Sequence, residues 1–248
     1  MSTDSFGQKM SRLLSRVDYR KAVSESDRDA IFKLRYEAYM HEQTINPNPS
    51  RRFSDPYDES ENCWVFGVYY DDELAGSIRI HKADKYAKDC PSLKTFYDVI
   101  NPALSSGETI VDPTRFVVKR SVSRKVSGLH YMTLRLCWMA VEHFRANHFL
   151  VAIRPEHQAF YKRTFHHKAV CPARSYEMLH CPISLMTVSY EDAVDWVYER
   201  YPFFRSNKFE RRMLFGETTE TPKTRLVSEA PASRIDPAWT NSPYQQRS

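Results

Sequence analysis

Positive charge is concentrated in one loop, which lies between a predicted strand and a predicted helix. Residues 119–128 of this loop include two lysines and two arginines. Thr114–Val118 before it is typical of a buried strand, and Leu129–Asn147 after it has the periodicity of an amphipathic helix. A loop that opens into a helix presents backbone N–H groups and a positive dipole, and both attract phosphate. The candidates for a phosphate-binding site are Arg124, Lys125 and Gly128. The alternative is a loop that only makes the surface soluble.

Two aspartates and two arginines form a second candidate group. Asp55 and Asp58 lie in a polar, proline-rich loop, whereas Arg79 lies within an apolar strand, where an unpaired charge would be costly. Arg35 lies on a predicted helix one turn before Tyr39, so the two side chains share a face. We expect the four charged side chains to form a cluster. The alternative is a solvated acidic loop opposite surface arginines, in which each ion pair contributes about 0–1 kcal/mol.

Histidine and cysteine do not form a convincing metal-binding pattern. No histidine stands at a spacing from acidic or thiol side chains that is typical of a metal site. The five cysteines include no CxxC pair, and their odd number argues against a disulfide framework. We therefore predict no metal, cysteines that serve as small core residues, and a reducing, cytoplasmic location.

Composition limits the class of protein that carries these groups. The chain has 248 residues, of which 42% are hydrophobic, enough for one large domain. Only 6 glycines argue against a dinucleotide fold with glycine-rich turns. No apolar run approaches the roughly 20 residues of a membrane span, and no nucleic-acid recognition module is visible. The net charge of +5 would attract an acidic protein, a nucleic acid or an anionic membrane, and charge alone does not choose among them.

The order of predicted elements indicates an α+β fold. Strands and helices follow one another approximately as β-α-β-β-α-β-α-β-β, which predicts a single sheet with a mixed centre. We predict a polar N-terminal extension over residues 1–22 and a folded domain over 23–205. Residues 206–248 are predicted to be a disordered tail, because serine, threonine, proline and charge dominate there.

The motifs resemble the GNAT acyltransferase superfamily and, within it, the autoinducer synthases and N-acyl amino acid synthases. They are an arginine with an aromatic residue one turn later, two acids three apart, a strand arginine, and an acid three residues before Arg-Phe. The matching positions are Arg35, Tyr39, Asp55, Asp58, Arg79, Asp112 and Arg115. The chain departs from the family in having aspartate rather than glutamate at 112. Its loop also lacks the tighter glycine pattern of acetyl-CoA enzymes, which favours a donor carried by a protein.

The resemblance implies a fold and catalytic roles. It implies a mixed central sheet flanked by helices, with central parallel strands that splay apart. Asp112 would take the proton of the amine, and the N–H groups of Val117 or Val118 would hold the thioester carbonyl. Tyr161 would protonate the leaving thiolate. The alternatives are that Asp112 simply pairs with Arg115 and that Tyr161 is a packing residue.

The function implied by the resemblance is transfer of a fatty acyl group from acyl carrier protein to the amine of an amino acid or a derivative. The expected partners are acyl carrier protein and a small amine acceptor, with the acyl donor as a substrate and no separate cofactor. Arg115 or Arg79 would grip the carboxylate of the acceptor, a bidentate task for guanidinium. The alternatives are lactone synthesis from S-adenosylmethionine, acetyl-CoA-dependent acetylation, and a catalytically inactive binding module.

Overall fold

Cys63–Tyr70 and Glu73–Ala83 form a hairpin that lies beside the edge strand of the sheet. The computed structural model describes residues 5–176 and 179–216. The hairpin turns at Asp71 and Asp72, whose φ angles of 48° and 65° are the positive values that a two-residue hairpin turn requires. The strands are β1 (Val17–Lys21), β2 (Cys63–Tyr70), β3 (Glu73–Ala83), β4 (Ile110–Val118), β5 (His148–Ile153), β6 (Lys168–Ala169), β7 (Arg174–Ser175) and β8 (Pro182–Ser189).

Helices cover the sheet. They are α1 (Phe6–Leu14), α2 (Glu25–His41), α3 (Pro91–Thr95), α4 (Tyr97–Ser105), α5 (Arg120–Ser123), α6 (Leu129–Phe144), α7 (Gln158–Phe165), α8 (Tyr190–Arg200) and α9 (Lys208–Phe215). Short 3-10 turns lie at Pro56–Glu59, Pro155–His157 and Pro202–Phe204. Among the described residues, no helix combines the length and the apolar character needed to cross a membrane.

The sheet order is β1-β2-β3-β4-β5-β8-β6, and β7 also pairs with β8. Neighbouring strands are antiparallel except β4 and β5, which are parallel. That parallel pair has a short ladder, in which Ile110 pairs with His148 and Val111 with Phe149. Beyond those residues the two strands separate. The predicted α+β class, with a mixed sheet and splayed central parallel strands, is confirmed.

Helix α6 lies at the centre of the molecule. Its sequence predicts one apolar stripe, yet the helix is buried on nearly every side from Leu129 to Val141. One side of α6 packs on the sheet, and the opposite side is covered by the N-terminal and C-terminal ends of the folded unit. Arg135 of α6 is 2% exposed and donates to the backbone carbonyls of Phe203 and Arg205 and to the carboxylate of Glu210.

These contacts correct the predicted domain limits of 23 and 205. At the N-terminal end, β1 is an edge strand of the sheet, and Met10 of α1 is buried. At the C-terminal end, α9 begins at an Asn207 cap and buries Phe215, which is 2% exposed. One compact unit therefore runs to Gly216. The rest of the predicted tail, residues 217–248, lies outside the described residues.

Candidate active site

A cavity of about 870 Å³ opens where β4 and β5 separate. Its walls are the second half of β4, the second half of β5, one face of α2, and side chains of α6 and α7. Most of the lining is apolar. The apolar lining residues include Leu34, Ile78, Phe116, Leu134, Val151, Ile153, Phe160 and Ile183. The splayed strands thus create a space with room for an extended apolar ligand.

Five charged side chains form an ion network behind one wall of this cavity. Asp58 accepts from Arg35 at 2.8 Å and lies 3.2 Å from Arg79, and Asp55 accepts from Arg79 at 2.5 Å. Asp55 also accepts from Nε of Arg115 at 3.1 Å. Arg35 and Arg79 are both 0% exposed. The predicted cluster therefore exists, and it is buried rather than solvated.

The turn at Pro56–Glu59 sets the positions of the two carboxylates. Asp55 accepts from the backbone N–H of Tyr57, and the Asp58 side chain accepts from the backbone N–H of Asp55. This reciprocal capping fixes the three-residue spacing of the acids. Each carboxylate keeps an oxygen for the arginines of the sheet and of α2.

Burial and neighbouring charge set the protonation state of the ion network. Within the described residues, Nη2 of Arg79 is buried without a hydrogen-bond partner. Burial alone would raise the pKa of Asp55, but hydrogen bonds and charge from Arg79 and Arg115 lower it to about 2. Burial alone would lower the pKa of Arg115, but Tyr39 and Asp55 outweigh it, so the net direction is upward. Arg115 therefore stays positive and attracts an anion.

A bulge in β4 directs Arg115 toward the network. Ser77 pairs with Val117 whereas Arg79 pairs with Thr114, so β4 contains one more residue than β3 over this span. Arg115 lies in the bulge with φ 54°. Regular alternation would place Thr114 and Arg115 on opposite faces. Nε of Arg79 donates to Thr114 while Arg115 also binds the network, so the bulge brings both side chains to one face.

Only part of the predicted acceptor site lines the cavity. Tyr39 and Arg115 are in its wall, with the Arg115 guanidinium 5.7 Å from the Tyr39 ring centre and 4.4 Å from that of Phe53. The other predicted acceptor-binding residues lie behind Arg115 in the ion network. These residues are Arg35, Asp55, Asp58 and Arg79. Their contacts hold the loop and orient Arg115.

Asp112 is not placed as a base. It is 0% exposed and does not line the cavity. Its carboxylate accepts from the backbone N–H of Ser92 at 3.0 Å and from the Ser92 hydroxyl at 2.7 Å. It therefore does not pair with Arg115 either. Burial raises the pKa of Asp112, with Ser92 opposing the shift. We assign it the structural task of fixing the start of α3.

The basic loop contributes different residues from those predicted. Lys119 and Arg120 line the cavity together with Val117 and Val118, whereas Arg124, Lys125 and Gly128 do not. The loop folds into the short helix α5, which carries its second basic pair away from the opening.

The backbone conformation and the packing at position 128 both require glycine. Its φ of 99° is a left-handed value, and a Cβ there would lie 2.5 Å from the Met10 side chain.

Tyr161 of α7 lies in the cavity wall, as the leaving-group role requires. Its side chain is 6% exposed, and burial raises its pKa, so the phenol stays protonated.

Sequence reasoning missed three further polar residues of the wall, His130, Arg154 and His157. Arg154 directly follows β5, and the end of a parallel strand beside its neighbour is a signal that could have found it.

Comparisons with known proteins agree with this architecture. The profile of the family described as N-acyl amino acid synthase FeeM matches residues 30–189. The structure of FeeM, from uncultured soil microbes, aligns with a TM-score of 0.60 at 14% identity, over 71% of this chain and 92% of that one. No curated protein sequence matches the chain.

Two acyl-homoserine lactone (AHL) synthases have similar folds. The AHL synthase LasI aligns with a TM-score of 0.52 at 13% identity, over 69% of this chain and 88% of LasI. BjaI, a CoA-dependent acyl-homoserine lactone synthase, aligns with a TM-score of 0.51 at 15% identity, over 75% of this chain and 88% of BjaI.

Proposed function

The chain belongs to the N-acyl amino acid synthase FeeM family, and we propose that this N-acyltransferase moves a fatty acyl group from acyl carrier protein to the amine of an amino acid or an amino-acid-derived acceptor. Arg115 carries the proposal. It is a buried, persistently charged guanidinium in the wall of a mostly apolar cavity. A charged guanidinium in such a wall suits the bidentate binding of an acceptor carboxylate.

The donor half of the proposal rests on the shape of the cleft. Beyond Val111, β4 has no ladder with β5, so an extended pantetheine arm can lie along the strand edge. Lys119 and Arg120 at the end of β4 are placed for the phosphate of that arm and for an acidic carrier protein. The apolar walls suit the acyl chain. The acyl donor is a substrate, and the reaction uses no separate cofactor.

Each chemical step then has a place in the cleft. The amine attacks the thioester carbonyl, and the C–N bond forms as an oxyanion develops. Backbone N–H groups near Val117 and Val118 would hold that oxyanion. The C–S bond breaks as the carbonyl reforms, and the Tyr161 phenol would donate a hydrogen bond to the departing thiolate. Because Asp112 is sealed outside the cavity, it takes no part in this sequence.

Product analysis tests the function. The protein is incubated with acyl carrier protein thioesters and a mixture of amino acids, and new amides are identified by mass spectrometry. We expect N-acyl amino acids from the native chain. For Arg115→Gln we expect a raised KM for the acceptor, because it loses the bidentate charge. A lactone formed from S-adenosylmethionine would identify the other branch of the resemblance, and absence of any acylated product would contradict an active enzyme.

A matched pair of charge reversals tests the carrier-protein donor. Lys119→Glu with Arg120→Glu should raise the KM for acyl carrier protein strongly. Arg124→Glu with Lys125→Glu makes the same charge change in the same loop but outside the cavity, so its effect should be smaller. Equal effects would mean that only net charge matters, and faster turnover of acyl-CoA than of the carrier thioester would replace the proposed donor.

A further inference from the structure

Amide formation from a thioester moves one proton. The neutral amine loses an N–H as the C–N bond forms, and the leaving sulfur gains a proton as the C–S bond breaks. A single group beside both atoms can take the proton from nitrogen and return it to sulfur, which leaves the protein unchanged. Asp112 has no access to the cavity for this task. The group that takes the proton must therefore lie in the cavity wall and have a free lone pair.

His130 is the wall residue with that property. It is the second residue of α6 and is half-buried at the cavity. Its ring packs 4.3 Å from the Tyr131 ring centre and stands edge-on to Phe160 at 5.4 Å. Across residues 5–176 and 179–216, no protein hydrogen bond or ion pair engages its ring nitrogens, so they are available to a ligand. The Phe160 ring lies 5.2 Å from that of Tyr161, so one aromatic ring separates His130 from the tyrosine placed beside the departing thiolate.

The other two histidines of the cavity wall each lie beside a charged side chain. Nε2 of His157 accepts a hydrogen bond from Nη2 of Arg154 at 3.1 Å. Nδ1 of His41 lies 3.6 Å from the carboxylate of Glu42 at the exposed rim. Neither has an unengaged ring inside the apolar part of the cleft. This difference sets His130 apart.

Burial favours the neutral form of the His130 imidazole. Charged or titratable side chains face the cavity from every wall. They are Glu37, Tyr39, His41 and Glu42 from α2, Arg115 from β4, Lys119 and Arg120 after β4, Arg154 and His157 after β5, Cys181 before β8, and Tyr161 from α7. The pKa of His130 is lowered, and desolvation by burial is its cause. Its position in the first turn of α6 acts in the same direction, because the dipole there disfavours a cation.

We propose that His130 shuttles the proton of the reaction, accepting it from the acceptor nitrogen and donating it to the departing thiolate. This inference rests on the proposed acyl transfer. Tyr161 then orients and stabilises the developing thiolate by hydrogen bonding rather than supplying the net proton. One proton leaves nitrogen and one arrives at sulfur, so no further acid or base is required.

The test compares His130→Gln with His143→Gln. Both histidines lie on α6, and burial lowers the pKa of both, but His143 packs against Phe144 and Phe215 away from the cavity. We expect His130→Gln to lower kcat by about 100-fold or more with a similar KM for both substrates, whereas His143→Gln keeps native turnover. Added imidazole should restore part of the activity of His130→Ala.

The pH profile gives the second readout. In the native protein, kcat/KM should fall on the acid side as His130 protonates, and the midpoint should match the pKa of His130 measured by NMR without substrate. If His130→Gln does not fold, this match decides the question, and a mismatch overturns the proposal. Normal turnover by folded His130→Gln overturns the role of His130 alone. Absence of any amide from the native protein overturns the proposed acyl transfer as well.

Discussion

Replacing Asp55 with asparagine is the sharpest test of the ion network. Asp55 accepts from both Arg79 and Arg115 and is nearly inaccessible, with a side chain 2% exposed. Asparagine keeps the shape but removes the negative charge that Arg79 and Arg115 share. Because removing one partner of a buried ion pair leaves uncompensated charge, the expected loss in the free energy of unfolding is about 3–5 kcal/mol at pH 7.

Part of that loss in stability depends on pH, and the lowered pKa of Asp55 determines whether the loss grows or shrinks as pH falls. The folded-state pKa of Asp55 is lowered to about 2, below the ordinary value of about 3.9. Its ionised form therefore contributes about 2.5 kcal/mol to stability. The contribution is full above the unfolded pKa and is lost as pH falls toward the folded pKa. Between pH 7 and pH 3 the gap between native and variant should narrow by roughly 1 kcal/mol.

Urea unfolding at pH 7, 5 and 3 measures this gap. Asp98→Asn is the control, since Asp98 accepts from Arg174 at 2.6 and 2.8 Å but is well exposed, at 66%. Its loss should be small and should shrink with added salt, whereas the Asp55 loss should resist salt because the pair is buried. A gap below about 1 kcal/mol, or one that stays constant between pH 7 and pH 3, would refute the reasoning.

Three further substitutions test the structural roles of Gly128, Asp112 and Phe215. Gly128→Ala should destabilise more than Gly107→Ala in urea, because both have positive φ (99° and 94°) but only Gly128 lacks room for a Cβ. Asp112→Asn should cost about 1–3 kcal/mol and leave the pH profile of turnover unchanged, and an altered profile would restore it as the base. Phe215→Ala should cost about 3–5 kcal/mol in thermal unfolding, against less than about 0.5 kcal/mol for exposed Phe209→Ala, and equal losses would contradict a buried Phe215.

The sequence allowed the charge cluster to be predicted because burial costs are strong and simple. Arg79 sits in an apolar strand, and such a charge must find partners. Asp55 and Asp58, three residues apart in a loop, were the candidate partners for that charge. The splayed strands were predictable only through the family resemblance, because no residue in β4 or β5 signals where their ladder stops.

Other features depend on tertiary contacts that no local pattern reveals. Asp112 looks like a base from its place in the motif, but a distant helix start at Ser92 occupies its carboxylate. The stretch around α9 reads as a tail because polar and charged residues dominate there, yet Phe215 enters the core. Likewise, composition located the positive charge of the basic loop, but only the α5 turn decides which side chains face the cleft.

The bulge at Arg115 connects backbone strain to the proposed chemistry. A non-glycine residue at φ 54° costs on the order of 1 kcal/mol, and a regular strand would avoid that cost by turning Arg115 to the opposite face. The carboxylate of Asp55 offsets the strain, because it binds Arg115 only in the bulged arrangement. The charge that is held ready for an acceptor is thus fixed by the loop, the turn and the strand together. An acceptor carboxylate would meet an arginine whose orientation is already set, and this lowers the entropy lost on binding.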